Sequence, residues 1–527
     1  MRVADQILFF LGTVATVLSL YYGYTKQCTA PNAQQGHTGY FEYECAGKPH
    51  HSSWTSWWHP QRSEGSISER NQGAGTTTKD WNILYHLGGN GPWVEKLIDL
   101  AEPSIAVPPG CQVSQVHMMS RHAERYPTKT AGRNQRAVVD KMRNSNISFT
   151  GALAFFDSWK LFWANDTSLE HLTTTGPFAG RLGAFTTGVR LRTRYSSLLS
   201  RALAQNATNY WASDSPRVID TARYFAAGFY GLDARPHLHV IPETPDRGAD
   251  TLTPGRTCPR NLADKQEGKA KGYRLMAEYQ QTYLPPIAAR LSSQHGLDLS
   301  SKDVWAMQEL CGFETTVRGG SEWCEVFTQE EFLAFEYARD LLHFYRAGPG
   351  QRYAASMGSL WVDATAELMR RGQGAGALFF SFVHDGDIAP MITALDVIND
   401  DELLPTTHIN HNRKWRKSQV SPMGGRVILE VLECGDTAIN LDNGERRDAD
   451  SRDEQSTLNK FVRLNINDGI TAFPDCRSGP GSSCPLAQFL ARTNRKSREA
   501  GRFAEICEMA EGSGEVNGEG GITFLHQ

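Results

Sequence analysis

The run ALFFSFV, residues 377–383, lies between RRGQGAG and HDGD. An apolar run of that length, without polar alternation, fits a strand covered on both faces. Such strands belong to parallel sheets with helices packed on each side, so this stretch directs the chain toward an α/β architecture. CQVSQVHMMS (111–120) contains a second β-like stretch. VILEVLEC (427–434) and NKFVRLNIND (459–468) supply two more, the last alternating more clearly. The first two runs are each followed by polar, chemistry-bearing residues, and sites in open α/β sheets collect at the C-terminal ends of strands.

Between these strands the chain reads as helical. TQEEFLAFEYARDLLHFYRAGPG begins with a capping box, Thr328 and Glu331, and stops at Gly348-Pro349-Gly350. Its aromatics Phe332, Phe335 and Tyr337 read as core. YRLMAEYQQTYLPPIAARLSSQHG (273–296) is amphipathic and is expected to be interrupted at Pro285-Pro286. IAPMITALDV (388–397) reads as a short helix, and DNGERRDADSRDEQ (442–455) as a solvated loop. The pattern predicts an α/β fold: a mixed, mainly parallel sheet flanked by helices, with a smaller inserted α-helical domain. Residues 81–145, 210–240 and 373–507 are assigned to the α/β domain, and 146–209 with 241–372 to the helical cap. Residues 28–80 read as an extended surface segment and 508–527 as a flexible tail.

The 527-residue chain carries a net charge of only −4, so no global field points to nucleic acid or a membrane surface as partner. Arg2 precedes a nearly unbroken apolar run from Ile7 to Tyr24. Its length lies between a secretory signal and a minimal spanning helix, so residues 1–27 are read as a signal peptide or signal anchor. Membrane contact is expected only if residues 7–24 are retained. The ten cysteines form no C-x-x-C pair, and in an exported chain they are expected to form five disulfides. Sequons at Asn146, Asn165 and Asn206 fit the same compartment. His50, His51 and His59 match no compact metal site, and no metal is expected.

In HMMSRHAERYPTKT (117–130), His122 stands between Arg121 and Arg125. Two neighbouring guanidinium groups disfavour a protonated imidazole. A neutral histidine is a nucleophile when an electrophile is held in line with one ring nitrogen. The guanidinium groups would hold a dianionic group through charge-assisted hydrogen bonds, which suits phosphate better than a carboxylate, a sugar or a metal. The competing reading is an arginine-rich loop paired with carboxylates such as Glu124. At the end of 377–383, His384 could bind a phosphoryl oxygen and Asp385 could protonate a leaving alcohol, although the dipeptide alone carries little weight. In ASDSPRVIDTARYFAAGF (212–229), Ser215-Pro216 starts a helix with Arg217 in its first turn. Taken alone, Arg217 reads as an exposed helical arginine.

Together, RHAERYPT, the Arg217 segment and FVHDGDIAP resemble the three separated site elements of histidine acid phosphatases. The likeness is to fungal secreted acid phosphatases and phytases of the yeast repressible type. It extends to WNILYHLGGNGPW (81–93), Phe327 to Trp361, SPMGGRVILEVLEC (421–434) and CRSGPGSSC (476–484), covering about Asp80 to Cys507. The resemblance implies the histidine phosphatase fold and a phosphate monoester as small-molecule substrate, with no cofactor. It implies His122 as the nucleophile that becomes phosphohistidine and Asp385 as proton donor. Arg121, Arg125, Arg217 and His384 would bind the phosphoryl group. It also implies, by order, the pairs Cys28–Cys45, Cys111–Cys434, Cys258–Cys507, Cys311–Cys324 and Cys476–Cys484.

One residue departs from the family pattern, which usually has glycine after the nucleophile: here it is Ala123. If that position is left-handed, alanine costs roughly 1 kcal/mol and could displace the ring. Activity is still expected, as an exported, glycosylated acid phosphomonoesterase. The alternatives are a phosphotransferase using the same intermediate and a non-catalytic surface protein on the same fold. Phytate would favour a basic rim. Lys129, Arg133 and Arg136 are candidates for that rim and equally for a solvated helix face.

Overall fold

The computed structural model describes residues 81–435, 459–509 and 521–527. These lie within one unit, Ser63–Gln527. Several expectations fall outside the described residues: the N-terminal apolar segment, the 28–80 stretch with its three histidines, the Cys28–Cys45 pair, the 442–455 loop and most of the C-terminal tail.

Among the described residues, eight strands form a single sheet: β1 (Cys111–Arg121), β2 (Asn209–Ser213), β3 (His237–Ile241), β4 (Leu378–Val383), β5 (Arg426–Cys434), β6 (Asn459–Ile466), β7 (Gly469–Thr471) and β8 (Cys484–Pro485). The order is β3-β2-β4-β1-β5-β6-β7, with β8 beside β6. The half β3-β2-β4-β1 is parallel. From β1 through β5 to β7 the pairing is antiparallel. The sheet is therefore mixed, and its parallel half brings the C-terminal ends of four strands to one edge.

The apolar run at 378–383 is buried throughout because its two faces enter different cores. Leu378, Phe380 and Phe382 pack in one cluster, and Phe379 and Val383 in another. Helix α1 (Lys129–Arg143) follows β1, and α2 (Pro216–Tyr230) covers the first of these faces, setting Phe225 and Phe229 edge-on to Phe380. On the second face lie the helix at 354–371 and the helix that follows β4, through Trp361 and Ile388.

The long helix α3 (Ala270–His295) runs through Pro285 and Pro286, where an interruption is expected from sequence. Tyr283, Leu284, Ile287, Ala288 and Leu291 are buried across that point, so one continuous apolar stripe outweighs the two missing backbone donors. Helix α4 (Gln329–Arg346) carries the expected capping box: the Thr328 hydroxyl accepts from the Glu331 N–H at 3.3 Å, and the Glu331 carboxylate from the Thr328 N–H at 2.9 Å. Helix α5 (Asp385–Leu395) begins directly at the end of β4, three residues before the apolar pattern suggests. Its start is fixed by Asp387, whose carboxylate accepts the His384 N–H at 3.0 Å.

Among the described residues, four disulfides join Cys111 to Cys434, Cys258 to Cys507, Cys311 to Cys324 and Cys476 to Cys484. Asn146, Asn165 and Asn206 are all exposed. Of the last seven residues, part of the stretch expected as a tail, Thr523 bonds to Asp250 and the final two reach β2. There the Gln527 amide accepts from the Asn209 N–H and donates to the Asn209 carbonyl.

Candidate active site

Each of the four parallel strands ends in a residue of one cavity or its immediate support. β1 delivers Arg121 and His122, and β4 delivers His384 and Asp385. β2 leads through Ser215 into α2, whose first turn carries Arg217. β3 leads to Glu243, two residues past its end. The cavity holds about 330 Å³.

The backbone around His122 is clamped from two sides, by the end of β4 and by the turn that leads into β5. Its N–H donates to Val383 O at 2.9 Å, and its carbonyl accepts from the Gly424 N–H at 2.8 Å. The Ala123 N–H donates to the Thr221 hydroxyl at 2.9 Å, which itself donates to Arg217 O at 2.7 Å. The turn after β1 is thereby tied to the helix that carries Arg217. Ala123 is buried and is not among the residues with positive φ. The condition for backbone strain at this alanine is therefore not met, and its methyl packs with Leu172 and Ala184.

His122 is 2% exposed, with Nδ1 at 2.9 Å from Ala123 O. A carbonyl only accepts, so Nδ1 carries the proton and Nε2 presents its lone pair. Burial holds the imidazole well below its ordinary range, reinforced by Arg121, Arg217 and Arg125. Arg121 is fixed by Gly89 O at 2.8 Å and Ser421 O at 2.9 Å. Arg125 donates to Tyr126 O at 2.8 Å. In all three of Arg121, Arg125 and Arg217, the Nε has no protein partner among the described residues. The site thus contains a neutral imidazole with a free lone pair, surrounded by cationic donors with spare hydrogen-bonding capacity.

Arg217 also reaches His384 Nδ1 at 3.4 Å, while Nε2 of the same ring lies 2.7 Å from Glu243 Oε1. The His384 and His122 rings lie edge to face, 5.7 Å between centroids. Asp385 Oδ2 is 3.2 Å from Arg121, 3.3 Å from Lys417 Nζ and 3.8 Å from His343 Nε2. Burial alone would raise this carboxyl, but Arg121, Lys417, His343 and Arg346 outweigh it and hold Asp385 well below the usual carboxylate range.

Arg256, Lys269, Arg339 and Arg346 add four cations to the cavity wall. Its other carboxyls, Asp387 and Glu309, are pushed up by burial, Asp387 to about 8. Cations therefore outnumber carboxylates around the cavity, and Asp385 is the one among its carboxyls that the surrounding charges hold low. Lys129, Arg133 and Arg136 lie on α1 and do not line it. Arg136 instead pairs with Asp166.

All six residues singled out from sequence, Arg121, His122, Arg125, Arg217, His384 and Asp385, line this cavity. Glu243, His343, Lys417 and Thr221 are not singled out from sequence. Of these only Glu243 leaves a trace, a carboxylate two residues past the β-like HLHVI. The others are single residues in helices, placed by tertiary packing.

The sequence matches the family model of the histidine phosphatase superfamily (branch 2) over residues 112–467. It is 33% identical to a phytase of Candida albicans over 78% of this chain and 84% of that protein. It is 30% identical to an acid phosphatase of Komagataella pastoris over 82% of this chain and 87% of that protein. The fold superposes on the crystal structure of the phytase from D. castellii with a TM-score of 0.73 at 28% identity, covering 85% of this chain and 91% of that one.

Proposed function

Because this chain belongs to branch 2 of the histidine phosphatase superfamily, we propose that it hydrolyses phosphate monoesters through a phosphohistidine at His122. The observation that carries this reading is the tautomer of His122, protonated on Nδ1 by its bond to Ala123 O, inside a cage of Arg121, Arg125 and Arg217. A phosphoryl dianion seated on these guanidiniums faces the Nε2 lone pair.

In the first step Nε2 bonds to phosphorus, the ester P–O bond breaks, and the leaving oxygen takes the proton of Asp385. In the second step water attacks the phosphohistidine, its proton passes to the Asp385 carboxylate, and the P–N bond breaks to release phosphate. The free site holds Asp385 ionised through Arg121 and Lys417. A bound dianion draws on the Arg121 charge and adds its own negative field, and both raise the proton affinity of Asp385. Substrate binding therefore arms the acid, which favours an acidic working range. With its Nε2 bonded to Glu243, His384 contributes a further donor to the phosphoryl oxygens through Nδ1 once the arriving anion draws a proton onto the ring.

The substrate class is the phosphate monoester. The excess cations Arg256, Lys269, Arg339 and Arg346 support esters carrying more than one phosphate, in keeping with the phytases among its relatives. Four disulfides and three exposed sequons support an extracytoplasmic, glycosylated protein. We assign the segments between the sheet strands, 146–209 and 241–372, to a cap over the site. The test is His122→Ala, checked for folding by thermal denaturation, with p-nitrophenyl phosphate at about pH 5. Hydrolysis is expected to vanish while inorganic phosphate still binds; wild-type turnover by the folded variant would overturn the assignment.

A further inference from the structure

Lys417 is a lysine with almost no access to solvent, at 1% side-chain exposure, in the short turn Lys417–Val420. It does not line the cavity. Its Nζ has three acceptors: Ser421 O at 2.5 Å, Ser421 Oγ at 2.9 Å and Asp385 Oδ2 at 3.3 Å. That count matches the three hydrogens of an ammonium. Ser421 O also receives Arg121 at 2.9 Å, so one carbonyl holds the two cations in direct contact with the Asp385 carboxylate. The Lys417 backbone is secured as well: its N–H donates to Asp340 Oδ1 at 2.6 Å, and Asp340 is paired with Arg413 at 2.6 Å. Burying an ammonium against one carboxylate is expensive, and replacing such a pair by apolar groups is often neutral or stabilising. Stability alone does not account for this lysine.

Resting on the reading of Asp385 as the general acid, we propose that Lys417 is its positioning residue. The ammonium, held behind the site at 3.3 Å from Oδ2, sets how readily that carboxyl gives up and regains its proton, and with it the acidic range of turnover. The other charged or titratable groups facing Asp385 are Arg121 and Arg125 after β1, Arg217 on α2, His343 and Arg346 on α4, His384 beside it in sequence and Asp387 on its own helix. Arg121 and Arg217 are claimed by the substrate dianion in the complex, whereas Lys417 does not reach the cavity. Lys417 therefore remains the cation dedicated to Asp385 throughout the cycle. Burial and then Arg121 lower its proton affinity while Asp385 opposes them, and the three acceptors around Nζ are the geometry of a bound ammonium.

Asp385 transfers its proton only when protonated, so kcat falls as pH rises through its value in the complex. Removing the cation raises that value and moves the alkaline limb upward. The experiment measures kcat against pH with glycerol 2-phosphate, whose alcohol leaves poorly, for wild type, Lys417→Met, Lys417→Arg and Asp385→Asn. Lys417→Met is expected to shift the limb up by about 1–2 pH units, Lys417→Arg to keep it near wild type, and Asp385→Asn to abolish it. An unmoved limb in folded Lys417→Met, with the limb absent in Asp385→Asn, overturns the role of Lys417 alone. A wild-type limb in Asp385→Asn overturns the general-acid reading as well. Should Lys417→Met fail to fold, Lys417→Arg carries the test, and a displaced limb there overturns the proposal.

Discussion

Glu243 Oε1 lies 2.7 Å from Nε2 of His384, and its other oxygen lies 2.9 Å from Arg256 Nε. The carboxylate therefore spans from His384 to a cation on the cavity wall. Burial alone would raise Glu243, but the hydrogen bond and charge of His384 outweigh it and keep the carboxyl ionised. Burial lowers His384 and Glu243 opposes that, making the ring easier to protonate when an anion arrives. Glu243→Gln keeps the shape and removes the charge. Inhibition by inorganic phosphate is expected to weaken about tenfold or more, the worth of a charged hydrogen bond. An unchanged inhibition constant would remove Glu243 from the site.

Ala123 makes the opposite kind of prediction. Its backbone is right-handed or extended, and its methyl contacts Leu172 and Ala184. Ala123→Gly restores the residue usual in the family but gains no relief of strain. Stability should fall by about 0.4–1 kcal/mol through the added freedom of the unfolded chain, with kcat unchanged. Urea denaturation beside steady-state kinetics checks both, and a more stable or faster variant would contradict the geometry.

Glu124, next to this alanine, is buried, and that burial pushes its carboxyl up to about 7, opposed by the Trp93 N–H that it accepts at 2.8 Å. An acid raised on folding binds its proton more tightly in the native state. Its contribution is fully present below the unfolded value near 4.5 and is lost as pH rises through about 7. Glu124→Gln stays neutral at every pH. The stability of the variant relative to wild type should therefore rise by about 3 kcal/mol between pH 4 and pH 8. Thermal unfolding across that interval checks the sign, and a constant difference would mean that Glu124 is ionised in the fold.

Much of this site was legible because its central groups sit where contiguous sequence leaves the sheet. ALFFSFV followed by HD, and CQVSQVHMMS followed by RHAER, place two histidines, two arginines and an aspartate at adjacent strand ends, and the two strands pair in parallel. Arg217 was recognisable only in company, since a first-turn arginine looks the same whether it faces solvent or a cavity. Lys417 and His343 were not legible at all: each is one residue in a helical turn, and its proximity to Asp385 depends on packing between distant segments. The helix through Pro285 and Pro286 shows the same limit, because a buried stripe overrides a local breaking signal.

The central claim is a covalent bond between His122 Nε2 and phosphorus. A phosphorus-labelled monoester mixed with enzyme and quenched into alkali within a turnover preserves a phosphohistidine, and the labelled peptide can then be mapped. The account predicts label on the peptide containing His122, absent in His122→Ala. Label on any other residue, or wild-type turnover with no labelled enzyme at any quench time, would contradict it.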